Sequence, residues 1–364
     1  GSEMCIRDRI IDAISGHAIF LVITAREGYS MELLENPRLK LLELERLPQK
    51  YAQQLLNQVQ DGHKLPGRVL DEILKRTEGI PLFIEELSKN LMEMSPDAAT
   101  GRAGEEIVLP VTIQESLLAR LDRLPEDSRE VAHLAAVIGR DFSFDLLEKV
   151  ADYQDKNLYR DLTPLLKAQM VFQRKAPPYA EYSFKHALFR DVAYETLLKS
   201  DLVRIHLRIA EVIEQDYPDM AHNNPELVAR HFTEGGVYER AVDYWLRAGK
   251  RASQQFALIE ARSHLENGLW ALERCSANET NNTTRLDLLI ALGPVLMALE
   301  GSGSEITRNN YTQAVELCNH LPASPMQFMA LWGQWNVSMD YDRDHGLIWA
   351  DRLQNLAEDL DSAE

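Results

Sequence analysis

The stretch Glu72–Leu91 reads EILKRTEGIPLFIEELSKNL, and two amphipathic helical runs meet in it at Thr77-Glu78-Gly79-Ile80-Pro81-Leu82. Before the break, Leu70, Ile73 and Leu74 recur at helical spacing; after it, Phe83, Ile84, Leu87 and Leu91 do the same. Gly79 suits a left-handed turn that ends a helix, and Pro81 can start the next one, where a missing N–H costs nothing. The pattern alone predicts a helix–turn–helix corner.

Working outward on the N-terminal side, Ala18–Ala25 (AIFLVITA) is a short apolar run that reads as a buried strand of a parallel sheet. Its sheet partners are expected upstream of residue 1. Gly1–Arg9 matches nothing that follows and resembles translated sequencing-adapter sequence. Leu39–Leu47 then leads to Pro48, with a helix over Gln49–Val59, a turn at Asp61-Gly62-His63, and Pro66 opening the helix that carries the break.

In this order, RTEGIPLFIEEL resembles the Gly-x-Pro segment of signal-transducing P-loop ATPases, the STAND class. Thr24 and Arg26 match the Thr-x-Arg that ends a core strand in that family. The resemblance implies that Arg26 reads the γ-phosphate, that Pro81 lies against the adenine, and that Gly79 shapes the same nucleotide-binding corner. It also implies ATP and magnesium as cofactors of the intact parent. The chain has no Gly-x4-Gly-Lys-Ser/Thr and no apolar strand ending in paired acidic residues. Both are needed to hold a triphosphate and its metal. ATP is therefore not expected to bind well to this chain, and no catalytic residue or metal site is assigned.

Toward the C-terminus, Ser95–Glu106 is small and polar, a linker. Thr112 with Glu115 has capping-box spacing, and helical runs follow over Ile113–Leu124, Val131–Ile138, Leu146–Ala151 and Leu158–Lys167. Met170–Gln173 and Tyr182–Phe184 flank Pro177-Pro178 as a two-stranded wing. Three of these helices with the hairpin make a winged helix. Residues 112–190 hold 12 Lys/Arg and 12 Asp/Glu, so the excess of basic charge that DNA phosphates require is missing. In the resembled family this domain is a hinge. Phe184–Glu214 resembles that family's helix most closely; His186 and Asp191 within it have no third catalytic member and read as structural.

From Pro225 the pattern is paired helices. Tyr238-Glu-Arg-Ala241-Val242 returns 73 residues later as Tyr311-Thr-Gln-Ala314-Val315, which reads as two repeats of about 36, and Ala350 continues the step. The reading is a tetratricopeptide-like solenoid. Leu289–Leu299, Gly301–Ser304 and ALWGQW (Ala330–Trp335) resemble the solenoid of ATPases joined to class III adenylate cyclases. Trp332 and Trp335 read as core residues between repeats, with a ligand patch as the alternative.

The chain of 364 residues has a net charge of −18, with 45% hydrophobic and 26% charged residues. Such an acidic balance argues against a nucleic-acid surface. Cys5, Cys275 and Cys318 match no metal or disulfide spacing, which suits a reducing cytosol, and no apolar run is long enough to span a bilayer. A cytoplasmic location with no membrane partner is expected.

The expected architecture is mainly α. It comprises the end of an α/β ATPase module with its helical lid (10–94), a linker (95–108), a winged helix (109–190), connecting helices (191–224) and a truncated solenoid (225–364). The expected function is the regulatory part of a STAND-type signalling ATPase. Its partners are the upstream core and effector in cis and a protein or small ligand on the solenoid. A stand-alone repeat scaffold and a transcriptional regulator are the alternatives.

Overall fold

The computed structural model describes residues 14, 17–22, 24, 40, 42–59, 67–94, 110, 112–151, 157–176, 179–275, 279–319, 325–341 and 343–361. The chain divides into two compact units, Gly1–Leu109 and Pro110–Glu364. Among the described residues the fold is mainly α, with one small sheet.

The first unit contains α1 (Gln49–Val59), α2 (Gly67–Thr77) and α3 (Pro81–Met94). The apolar stripes close on one another: Ala52 and Leu56 from α1, Val69 and Ile73 from α2, and Phe83, Ile84, Leu87 and Leu91 from α3 are all buried. At about 1.5–3 kcal/mol for each large side chain buried, this cluster outweighs the weak helix propensity of such short segments. The strand expected at Ala18–Ala25, with sheet partners upstream of residue 1, is described only over residues 18–22 and 24. Residues 18–22 belong to no sheet and are exposed, Phe20 by 91%. A strand needs a neighbour to take its N–H and C=O groups, and the described residues of this unit supply none.

The second unit opens with α4 (Ile113–Asp122), α5 (Glu126–Ile138), β1 (Asp141–Ser143), α6 (Phe144–Ala151), α7 (Leu158–Lys167), β2 (Val171–Lys175) and β3 (Glu181–Phe184). The two extended runs pair antiparallel as expected, with Val171 opposite Phe184. A third strand joins them. β1 pairs with β3, placing Phe142 opposite Tyr182 and giving the strand order β1-β3-β2. Phe142 stacks on Tyr182 at 5.8 Å and leans on Phe184 at 5.7 Å, which fixes the inner face of the sheet. The buried Arg120 guanidinium donates to the Ala168 carbonyl and lies 5.4 Å over the Phe189 ring, tying α4 to the end of α7 and to α8 (Ala187–Glu195).

α9 (Lys199–Asp216) packs on α5 and α6 with one part of its surface and on α11 (Pro225–Glu234) with another. Its Ile205, Ile209 and Ile213 stripe is buried, while Leu198, at the break before the helix, is 70% exposed. The short α10 (Pro218–Asn223) lies between. Next come α12 (Tyr238–Gln254), α13 (Leu258–Leu272), α14 (Glu279–Glu300), α15 (Glu305–Cys318), α16 (Pro325–Tyr341) and α17 (Arg343–Asp361). Each packs on the next, and α12 with α14 and α14 with α16 touch as second neighbours, the pattern of a helical solenoid.

Two expectations change here. Between Tyr238 and Tyr311 lie the bodies of three helices, α12, α13 and α14, so the 73-residue offset is not two helix pairs. The alanine step survives because Ala241 and Ala314 are both fully buried where neighbouring helices come close. Trp332 is exposed and Trp335 half-buried, so the pair does not form a core between repeats. Asn281–Glu300 of α14 is the one described segment long and apolar enough to cross a membrane, yet Leu286, Leu288, Leu289, Leu292, Val295 and Leu296 are buried against its neighbours.

One hydrophobic cluster runs from Leu117 in α4 through α9 and the first solenoid helices to Leu296 in α14. The connecting helices of 191–224 contribute Val192, Ile205, Ile209, Ile213 and Ala221 to that cluster.

Candidate functional site

The corner between α2 and α3 is built by its backbone. Thr77 Oγ donates to the Ile73 carbonyl at 2.8 Å, and the Ile80 N–H reaches the Thr77 carbonyl at 2.8 Å. Glu78 and Gly79 then take positive φ values of 47° and 77°. The Leu47 N–H donates to the Gly79 carbonyl at 2.8 Å, which clamps the chain before α1 onto the turn, and Arg46 pairs with Glu78. A β-carbon at Gly79 would collide with the Leu47 carbonyl oxygen, so glycine is required by close approach as well as by φ. Pro81 begins α3 and is exposed.

A cleft of about 420 Å³ opens at this corner, with Gly79, Leu47, Ala52 and Leu74 as its apolar wall. Its charged lining is Asp71, Glu78 and Lys75. A flat apolar group fits such a space, but one cation against two carboxylates leaves the phosphates of a nucleotide without a charge partner. The structure therefore brings Gly79 and Pro81 to one turn, with Gly79 in the cleft wall and Pro81 outside it. Thr24 is exposed, and Arg26 lies outside the described residues.

His186 precedes the first turn of α8 with its ring against Phe189, and Asp191 pairs with Arg190 at 3.0 Å. They do not share a helix, because Phe184 ends β3. A different histidine pair, which the sequence reading missed, is buried between α9 and α11. His206 Nδ1 and His231 Nδ1 are 2.8 Å apart, and the Tyr194 hydroxyl lies 3.1 Å from His206 Nε2. One proton lies between the two Nδ1 atoms, whichever ring carries it. Burial lowers His206 to about 4, aided by the nearby Arg230 and Arg190 charges. Burial, then His206 and Arg230, lowers His231 to about 2. Both rings are thus neutral in the folded chain. The only available signal was helical phase: His206 sits three residues before buried Ile209. Nothing local marks its partner 25 residues on.

A second cleft, of about 560 Å³, lies among α9, α10, α11 and α12 and is lined by Arg247, Arg251, Glu214 and Tyr244 among others. It too escaped the sequence reading, because its arginines are spaced like any solvated helix face.

No family model matches the chain. A protein of Rhizobium meliloti (strain 1021), described as uncharacterized, is 30% identical over 338 residues, which are 90% of this chain and 32% of that protein. The chain thus spans about a third of the length of this curated relative. Among solved structures, the Signal Transduction ATPase with Numerous Domains (STAND) protein with a tetratricopeptide repeat sensor from Pyrococcus horikoshii is 12% identical. The similarity covers 87% of this chain and 54% of that one, with a TM-score of 0.31.

Proposed function

We propose that the chain is the relay and sensor segment of a longer STAND-type ATP-binding signalling protein. The observation that carries this is the unbroken core from Leu117 to Leu296, which welds the sheet-bearing module to the first solenoid helices. Elements sharing one packed core move together, so a bias applied at one end is felt at the other. The order α4-α5-β1-α6-α7-β2-β3, with β1 and β2 both flanking β3, supports reading that module as a winged helix.

In this reading ATP and magnesium are held by an upstream core of the parent. Arg26 meets the γ-phosphate, Gly79 and Pro81 meet the adenine, and an effector such as an adenylate cyclase lies further upstream. The solenoid takes a protein or small ligand. The wing does not read nucleic acid: Arg174 pairs with Asp141 at 2.9 Å and Lys175 with Glu181 at 2.6 Å, so its cations are engaged. A cytoplasmic setting goes with this function.

Hydrogen exchange on the full-length parent, with and without ATP and magnesium, tests the proposal. Nucleotide should alter protection both at Thr77–Leu82 and in the β2–β3 hairpin. Protection that stays unchanged at both places would reject the relay and leave a scaffold that works through protein partners alone.

A further inference from the structure

We propose that the cleft among α9–α12 binds a small anion, a phosphate- or carboxylate-bearing metabolite, held by Arg247 and Arg251. This deepens the reading above by assigning the solenoid a ligand class and a place.

In a chain of net charge −18, guanidinium groups such as Arg160, Arg174, Arg190, Arg240 and Arg262 are paired with carboxylates. Arg247 and Arg251, one turn apart on α12, are not. Arg247 lies 5.0 Å over the Tyr244 ring and makes no ion pair among the described residues. Arg251 donates to the His222 carbonyl at 2.9 Å and reaches Asn223 Oδ1 at 3.5 Å, so its partners are neutral. Both residues line the cleft.

The single acidic residue lining the cleft, Glu214, is already satisfied. One of its oxygens accepts from the Tyr244 hydroxyl at 3.0 Å, and the other pairs with Arg240. The cleft therefore presents two positive charges and no free negative one. Gln254 and Gln255 add amide groups at the same mouth, and the N-terminal end of α11 opens there at Pro225 without a side-chain cap. Helix N-termini favour anions, and planar guanidinium groups bind carboxylate and phosphate through paired N–H donors. A volume of about 560 Å³ suits a metabolite. Because the walls come from four consecutive helices, an occupant would clamp α9 and α10 to α12, at the place where the solenoid joins the sheet-bearing module.

The test is titration calorimetry on this chain with inorganic phosphate and with citrate, against sodium chloride of equal ionic strength. Saturable binding of one of them is expected, and which one binds identifies the anionic group. Arg247→Ala, at an exposed position, should weaken it about tenfold, the effect of losing one charge-assisted hydrogen bond, and Arg251→Gln should do likewise. Lys250→Ala, on the same helix but outside the cleft, should leave it unchanged. Heats no larger than those of sodium chloride, or binding indifferent to Arg247→Ala, would overturn the proposal. No nucleotide enters the assay, so its failure is distinct from failure of the relay, which shows only in nucleotide-dependent exchange.

Discussion

The ring of Tyr311 in α15 lies against the backbone of Gly333 in α16, so close that a β-carbon on the glycine would fall among the ring carbons. Gly293 in α14 receives the other part of the same side chain. Tyr311 is buried, and its hydroxyl lies 3.4 Å from Met297 Sδ. Three helices are thus held at a spacing that one phenol ring sets.

In an ordinary helix interior, Gly→Ala stabilises by about 1 kcal/mol. Here Gly333→Ala should invert that sign. Overpacking costs about 1–3 kcal/mol, and against the gain of about 1 kcal/mol the expected net effect is a loss of up to about 2 kcal/mol. Urea denaturation measures it, and Tyr311→Leu in the same chain should recover part of the loss because the two sites share one space. A Gly333→Ala protein more stable than its parent would disprove the wedge.

Gly79 carries a similar constraint for a different reason. Alanine there meets both a φ of 77° and the Leu47 carbonyl, so Gly79→Ala should destabilise the first unit by about 1–3 kcal/mol. Gly67→Ala, with nothing within 4 Å, is the matched control and should cost nothing. Limited proteolysis of α1–α3 reads the difference: equal digestion of the two variants would mean the clamp contributes no stability.

The His206–His231 pair predicts acid sensitivity. Its folded pKa values of about 4 and about 2 lie below the unfolded value of about 6.5, so the unfolded chain binds more protons throughout that interval. Stability should therefore hold above about pH 7 and fall as pH drops from about 6.5 towards 4. With both sites contributing, the slope approaches about 2.7 kcal/mol per pH unit. The facing charged groups, Arg190 and Arg230, act in the same direction. Burial also lowers His133 and His264, adding to the trend, so the diagnostic is His231→Phe. Thermal midpoints followed from about pH 7.5 to 5 should fall less steeply in that variant, and an unaltered slope would exclude the pair as the source.

Capping offers a smaller effect. Ser304 Oγ accepts from the Thr307 N–H at 3.2 Å at the start of α15, and Thr112 Oγ accepts from Glu115 N–H at 3.1 Å at the start of α4. Ser304→Ala and Thr112→Ala should each cost about 1 kcal/mol, with Ser304→Gly costing less. Losses indistinguishable from zero by urea denaturation would show that packing alone sets these helix starts.

Local rules carried the reading of the fold a long way. Gly79 and Pro81 mark a real corner, and Thr112 marks a real helix start, because cap and turn chemistry is written within a few residues of where it acts. The hairpin was legible for the same reason. β1 was not: Asp141–Ser143 has three residues, too few for a periodic signal, and exists because β3 supplies its partner. The run Ala18–Ala25 has the apolar letters of a strand, but pairing is a property of two segments, and one segment's letters do not name its partner. The candidate site suffered most. Arg247, Arg251, His206 and His231 acquire meaning only when four helices are packed, and no spacing along one helix announces that.

The odd helix count between the two Tyr-x-x-Ala-Val segments has its own consequence. Neighbouring helices joined by short links run in opposite directions, as α12 and α13 do across three residues. Segments separated by three such steps point opposite ways, so the copied letters at Tyr238 and Tyr311 are mirrored in polarity. The repeated letters are core, with Ala241, Val242, Tyr311, Ala314 and Val315 all buried, so a neighbouring helix that packed on one copy would meet the other in reverse. Any duplication recorded in this array has been kept as a packing face and lost as a direction.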